Sequence, residues 1–180
     1  MSWIALIVLL FIILFVSSPS RAEEAPLYIP ADAAAMENQR GDPQRAIGSK
    51  ITLLVPEHPS VTLQSQPTLY WQVSAPIKKA TLIISENGQE LLRKQFTDLK
   101  LGLQQFSLQG NSIKLAPNKT YQWAIQVPGE QGGAESTVRA QIWVQSGADS
   151  ANVNELARRG IWYDALDVLS RQITAKPESV

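Results

Sequence analysis

The sequence predicts a mainly β protein: an antiparallel β-sandwich followed by a pair of C-terminal helices. Three observations support this fold class. Apolar and polar residues alternate in short segments between residues 51 and 144, as in strands with one buried face. Asn87-Gly88 separates two of these segments and suits a two-residue hairpin turn. After Ser146 the apolar spacing becomes helical.

Two tryptophans mark the predicted core. Trp71 shares one face of the segment 67–73 with two aliphatic residues, and Trp123 lies on the apolar face of the segment 121–127. Because successive side chains of a strand point to opposite faces, both indole rings should be buried between the sheets.

The other predicted strands follow from the same alternation. Seven strands are expected, at 51–55, 67–73, 80–85, 91–96, 101–108, 121–127 and 138–144. In the fifth, Leu101 and Leu103 differ in parity from Phe106 and Leu108. This change of phase predicts a bulge or small turn at Gln104-Gln105.

The helix pair carries an apolar stripe that needs a partner. Asp149 or Ser150 can cap a first helix, and Gly160 ends it. The stripe of the second helix consists of Trp162, Ala165, Leu166, Leu169 and Ile173. A lone helix pair has no repeat neighbours, so this stripe should pack on the sandwich with Trp162 and Leu166 inward.

The N-terminal residues are predicted to direct export. An apolar run from Trp3 to Val16 precedes Ser20-x-Ala22, a small-residue cleavage pattern. We therefore expect a signal peptide at 1–22 and a periplasmic or extracellular protein. No Lys or Arg precedes the run, so an uncleaved membrane anchor is the alternative. The remaining segments are a linker at 23–49, the sandwich at 50–146, the helices at 147–175 and a tail at 176–180.

Composition disfavours several kinds of chemistry. The net charge is zero, which gives no electrostatic basis for binding nucleic acid. There is no cysteine, and His58 is the only histidine, too little for a zinc site or a catalytic triad. Asp164 and Asp167 fit a charged helix surface better than a catalytic pair. We therefore expect no catalytic, metal or cofactor-binding residues and no enzymatic activity.

The candidate partner or ligand surface consists of Tyr70, Trp143 and Trp162. Tyr70 and Trp143 lie on the polar faces of their predicted strands. Outward aromatic rings can stack on sugars or anchor a protein partner. Alternatively, these rings carry the C-terminal helices.

Two resemblances extend this interpretation. Leu115-x-Pro117-x-x-x-Tyr121 resembles the corner of immunoglobulin-like and fibronectin type III domains, where such a tyrosine bonds back to the preceding chain. The block Gly160-Ile-Trp-Tyr-Asp-Ala-Leu166 is similar to half a tetratricopeptide repeat. Together with Leu53–Pro56, Pro67–Trp71 and Lys119–Trp123, it resembles a family of exported cyanobacterial proteins catalogued as a domain of unknown function.

These features predict an exported, non-enzymatic interaction module of the periplasm or cell envelope, with an envelope protein as its expected partner. A carbohydrate-binding module that uses the outward aromatic rings to bind a glycan is the alternative. The resemblance implies no catalytic or binding residues.

Overall fold

The computed structural model describes residues 46–47, 50–56, 59–129, 133–148 and 152–175. Within these residues nine strands and two helices form. The strands are β1 (Ala46–Ile47), β2 (Ile51–Leu53), β3 (Ser60–Thr62), β4 (Thr68–Val73), β5 (Ile77–Glu86), β6 (Gln89–Leu99), β7 (Gly102–Ser107), β8 (Lys119–Val127) and β9 (Ser136–Val144). The helices are α1 (Val153–Arg158) and α2 (Trp162–Ala175).

The strands form the two packed sheets of a β-sandwich. One sheet has four strands in the order β1-β2-β4-β7, and the other has five in the order β3-β9-β8-β5-β6. Trp71 of the first sheet and Trp123 of the second are both fully buried in a common core, as the strand faces predicted. The Trp71 ring also contacts Phe96, which meets Phe106 edge to face.

Two local predictions are confirmed by the backbone. Asn87 and Gly88 have φ values of 50° and 82° and join β5 to β6, as a two-residue hairpin turn requires. The backbone N–H of Ala116 donates to the Tyr121 hydroxyl at 2.8 Å. This bond closes the corner before β8 in the way that the fibronectin type III resemblance implied.

The five-stranded sheet is mixed, because β3 pairs in parallel with β9. The sequence predicted the antiparallel sandwich but not β3 or β1, and the parallel pairing of β3 is an addition to it. All three residues of β3 are buried although Ser60 and Thr62 are polar, so the short sequence Ser-Val-Thr does not indicate a buried strand. The strand β1, which pairs with β2, lies inside the region 23–49 that was predicted to be a linker.

The bulge predicted at Gln104-Gln105 is absent. β7 pairs with β4 over six consecutive residues without a register shift, and the irregularity lies between Ile84 and Ser85 of β5. Leu101 and Leu103 are instead 66% and 56% exposed. The strand is regular, and the change of apolar parity arises because these two leucines point outward.

The first helix ends just before the predicted glycine, but its N-terminal cap is a different residue from the two that were predicted. Asn152 caps α1 by accepting a hydrogen bond from the Glu155 N–H at 3.1 Å. Gly160 follows with a φ of 70°, a conformation that glycine adopts without strain. In the described part of the chain no helix is long and apolar enough to cross a membrane. The proposed caps Asp149 and Ser150, the predicted signal peptide at 1–22 and His58 lie outside the described residues.

Candidate interaction surface around the second helix

The first turn of α2 reaches into the sandwich core through Tyr163. Its side chain is fully buried, and its hydroxyl accepts a hydrogen bond from Trp123 Nε1 at 2.9 Å. The same hydroxyl donates to the backbone carbonyl of Gln141 at 3.2 Å. Gln141 directly precedes the first residue of β9 that pairs with β3. Tyr163 therefore bonds to β9 one residue before the position at which β3 begins to pair with it.

Two further side chains of this turn bond to the connection between β2 and β4. Trp162 Nε1 donates to the Leu54 carbonyl at 2.7 Å, and Asp164 Oδ2 accepts from the Leu63 N–H at 3.2 Å. Asp164 is only 1% exposed, so the sequence-based view of it as part of a charged helix surface is wrong. This bond joins the buried acid to the residue that directly follows β3.

Tyr70 lies under α2 rather than on an open surface. Its ring points away from the core face of β4 but is only 3% exposed, because α2 packs on β4. Its hydroxyl donates to Asp167 Oδ1 at 2.9 Å, and Asp167 Oδ2 accepts from Arg171 at 2.7 Å. The last contact is an ion pair between residues four apart on the helix. Burial raises the pKa of Tyr70, and the hydrogen bond to Asp167 raises it further.

Trp143 is covered by the helix pair. Its half-buried ring packs against a second apolar cluster formed by Val61, Leu156, Ile161 and Ala165. Trp143 thus faces the helices, and α2 also covers Tyr70. This arrangement is the second of the two interpretations of these rings, in which they carry the C-terminal helices. Tyr70 and Trp143 contact the helix pair, and Trp162 belongs to it. The three residues therefore form the joint between the helices and the sandwich.

The second half of α2 is not covered in the same way. Leu169 and Ile173 continue the predicted apolar stripe at i, i+4 spacing, yet they are 38% and 49% exposed. Leu166, one turn earlier, is half-buried. The stripe was expected to dock along its whole length, and only its N-terminal part does so. An apolar ridge therefore remains on a helix whose first turn is firmly fixed.

The sequence missed Tyr163 as the deepest contact. Trp162 is the larger apolar ring and fits the stripe, while Tyr163 lies one position, or about 100°, around the helix. Tyr163 also carries a hydroxyl, which favours burial only where partners for it exist. Those partners, Trp123 and a β9 carbonyl, come from strands far away in the sequence and could not be assigned beforehand.

The open clefts carry no recognisable catalytic arrangement of side chains. One, of about 560 Å³, is lined by Lys50, Lys78, Lys79 and the loop at Pro128-Gly129. A smaller one, of about 230 Å³, lies beside the Asn87-Gly88 turn and is mostly polar. Among the described residues, no three His, Cys, Asp or Glu side chains are grouped as metal ligands.

The fold and this joint define a class: β-sandwiches of two packed sheets that carry a C-terminal helix pair. The chain belongs to the family described as Domain of Unknown Function (DUF928), whose model matches residues 35–180. A solved structure titled as Clostridium thermocellum CbhA fibronectin(III)-like modules is similar at 11% identity and a TM-score of 0.33. The similarity covers 54% of this chain and 99% of that one. No curated protein matches.

Proposed function

We propose that this protein is a non-enzymatic interaction module of the periplasm or cell envelope, which binds another protein through the C-terminal half of α2. The observation that carries the proposal is the uncovered end of the apolar stripe at Leu169 and Ile173. Exposed aliphatic residues scattered singly are common on surfaces, but a continuous stripe on a fixed helix is a binding feature.

The geometry favours a helical partner. Residues four apart on a helix form a ridge, and such a ridge packs into the groove of a second helix. Tetratricopeptide-like helix pairs, which this segment resembles, bury their stripes against the next pair. In this chain the sandwich covers only the first turns. An amphipathic helix of the partner would supply the missing cover for the rest.

The flanks of the ridge are suited to association. Asp167 and Arg171 form an ion pair beside the ridge, so neither charge has to be desolvated alone when a partner approaches. The first turn keeps its bonds to Trp123, Leu54 and Leu63. The ridge is therefore presented in one orientation, which lowers the ordering cost of binding.

Glycan binding finds no supporting observation here. Stacking on a sugar needs an open aromatic face, whereas Tyr70 is buried and the helix pair covers Trp143. The proposed location rests on the predicted signal peptide at 1–22 and on the resemblance to exported proteins. The non-enzymatic assignment rests on the composition of the chain.

The proposal is tested with charges placed on and beside the ridge. A protein that co-purifies from the native envelope fraction is first identified, and its affinity for the purified chain is then measured by calorimetry. Leu169→Asp combined with Ile173→Asp should weaken binding at least tenfold. Gln172→Asp combined with Ala175→Asp, which adds the same two charges off the ridge on the same exposed helix half, should change it less than twofold. Equal affinities for the double variant and the unmodified chain would refute the role of α2.

A further inference from the structure

The two long edge strands of the sandwich differ in how they are protected. β6, at the edge of the five-stranded sheet, carries Glu90, Arg93, Lys94 and Asp98. β7, at the edge of the four-stranded sheet, reads Gly-Leu-Gln-Gln-Phe-Ser and contains no charge and no proline. It also has no bulge. Charges, prolines and bulges are the usual means by which edge strands avoid pairing with another chain. By these criteria β7 is unprotected.

The free side of β7 offers a regular set of hydrogen-bonding groups. The Leu108 N–H donates to the Pro67 carbonyl at 3.0 Å, so even-numbered residues direct their backbone groups toward β4. By alternation, the N–H and C=O groups of Leu103 and Gln105 and the N–H of Ser107 point to the open edge. The Ser107 carbonyl accepts a hydrogen bond from Asn111 Nδ2 at 3.0 Å. Over the described ranges, no other strand pairs with this edge. Leu101 and Leu103 stand beside it on the outer face, more than half exposed.

We propose that β7 pairs in antiparallel orientation with β7 of a second copy of this chain, joining two four-stranded sheets into one of eight strands. Residues that face each other across such a pair lie on the same face of the sheet. The groups at the open edge all belong to odd-numbered residues. Leu103 can therefore lie opposite Leu103 of the second copy, with Leu101 as its diagonal neighbour. The four leucines then cover one another.

A second copy of the chain is a suitable partner for this edge. In an antiparallel pair of two identical strands, the residue on the two-fold axis lies opposite the same residue of the other copy. Like charges directly opposite destabilise a strand pair, so a strand can face itself only when it is neutral near the axis. β7 meets that condition and β6 does not. The net charge of the whole chain is zero, so two copies do not repel each other at long range.

The size of the contact sets its strength. With Leu103 opposite Leu103, the two copies of β7 overlap only at residues 102–104. This pairing, with its four leucines, buries less than the roughly 1,200 Å² of a typical stable interface. The dimer is therefore concentration-dependent. The dimer uses the backbone groups at the edge of β7, whereas the proposed partner site uses the side chains of Leu169 and Ile173.

The absence of cysteine makes a direct test available. The full chain with the substitution Leu103→Cys is expressed, with whatever N-terminal processing the cell performs. The purified protein is then oxidised. Residues opposite in a hydrogen-bonded pair have Cα atoms about 5.5 Å apart, within the range that a disulfide spans. Gln72→Cys is the matched control. Gln72 is exposed, lies on the same face and pairs directly with Leu103, but one strand further inside. The Leu103→Cys variant should form the covalent dimer at least tenfold faster than the Gln72→Cys variant.

A second variant tests the backbone pairing itself. Gln105→Pro removes an N–H that points to the open edge, so the ladder with β4 is kept. In the Leu103→Cys background it should reduce cross-linking at least tenfold. Leu103→Lys, without the cysteine, should abolish the dimer seen by sedimentation. Equal cross-linking of Leu103→Cys and Gln72→Cys would overturn the proposal. So would a dimer that neither Gln105→Pro nor Leu103→Lys weakens, or a monomer at all concentrations up to about 1 mM.

Discussion

Replacing Tyr163 with phenylalanine tests how α2 is fixed to the sandwich. The substitution keeps the buried ring but removes the hydroxyl that accepts from Trp123 Nε1 and donates to the Gln141 carbonyl. Trp123 is fully buried, so its N–H would lose its acceptor in a place that water does not reach. Leaving such a buried group unsatisfied costs about 1–3 kcal/mol.

The expected loss for Tyr163→Phe is therefore about 2 kcal/mol of unfolding free energy. Tyr163→Ala also removes the ring, and deleting a buried aromatic side chain costs about 3–5 kcal/mol. Domains of this size are stable by about 5–15 kcal/mol. The alanine variant should consequently lose a large share of its stability, and the phenylalanine variant a smaller share.

The measurement is urea denaturation followed by tryptophan fluorescence. Tyr163→Phe should lower the midpoint without changing the slope, since the folded surface is unchanged. Ile173→Ala is the control, because it lies in the same helix but is half exposed, and it should stay within about 0.5 kcal/mol of the unmodified chain. If Tyr163→Phe is no more destabilising than Ile173→Ala, the buried hydrogen bonds do not hold the helix in place.

Three further predictions address the core, the joint and the N-terminus. Trp71→Ala should cost about 3–5 kcal/mol by urea denaturation, and an unchanged midpoint would contradict its position in the core. The folded pKa of Tyr70 is raised, so its hydrogen bond contributes fully below the unfolded value near 10 and is lost as the pH rises through the folded pKa. The stability difference between the unmodified chain and Tyr70→Phe should thus shrink as the pH rises above 10, and a constant difference would argue against this joint. Mass spectrometry of protein from its native envelope should find Glu23 at the N-terminus; retention of Met1 in membrane fractions would show an anchor.

The sequence was informative where neighbouring residues determine the structure. The alternation around Trp71 and Trp123, the Asn87-Gly88 turn and the Tyr121 corner depend on local spacing, and all are present. Each arises from a preference that a few adjacent residues express by themselves. The two sheets and the helix pair could be predicted for this reason.

The features that the sequence did not reveal depend on partners distant in the chain. β3 is buried at all three residues beside β9 and α2, and its polar Ser60 and Thr62 give no sign of this burial in the sequence. Asp164 looked like a surface charge because its acceptor role depends on Leu63. Leu101 and Leu103 suggested a bulge because apolar residues were assumed to face inward. The open end of the α2 stripe was likewise hidden, since the pattern does not show how far the sandwich extends along the helix.

The bonds that fix α2 also bear on the order of events during synthesis. Their partners are separated by 97, 101 and 108 residues, at Tyr70, Leu63 and Leu54 respectively. At a synthesis rate of about 5–20 residues per second, α2 follows β4 by about 5–20 s. During that interval Tyr70 and the β2–β4 connection have no cover, and contacts of such long range slow folding. The sandwich can therefore reach its final form only after the last turns of the chain have been made.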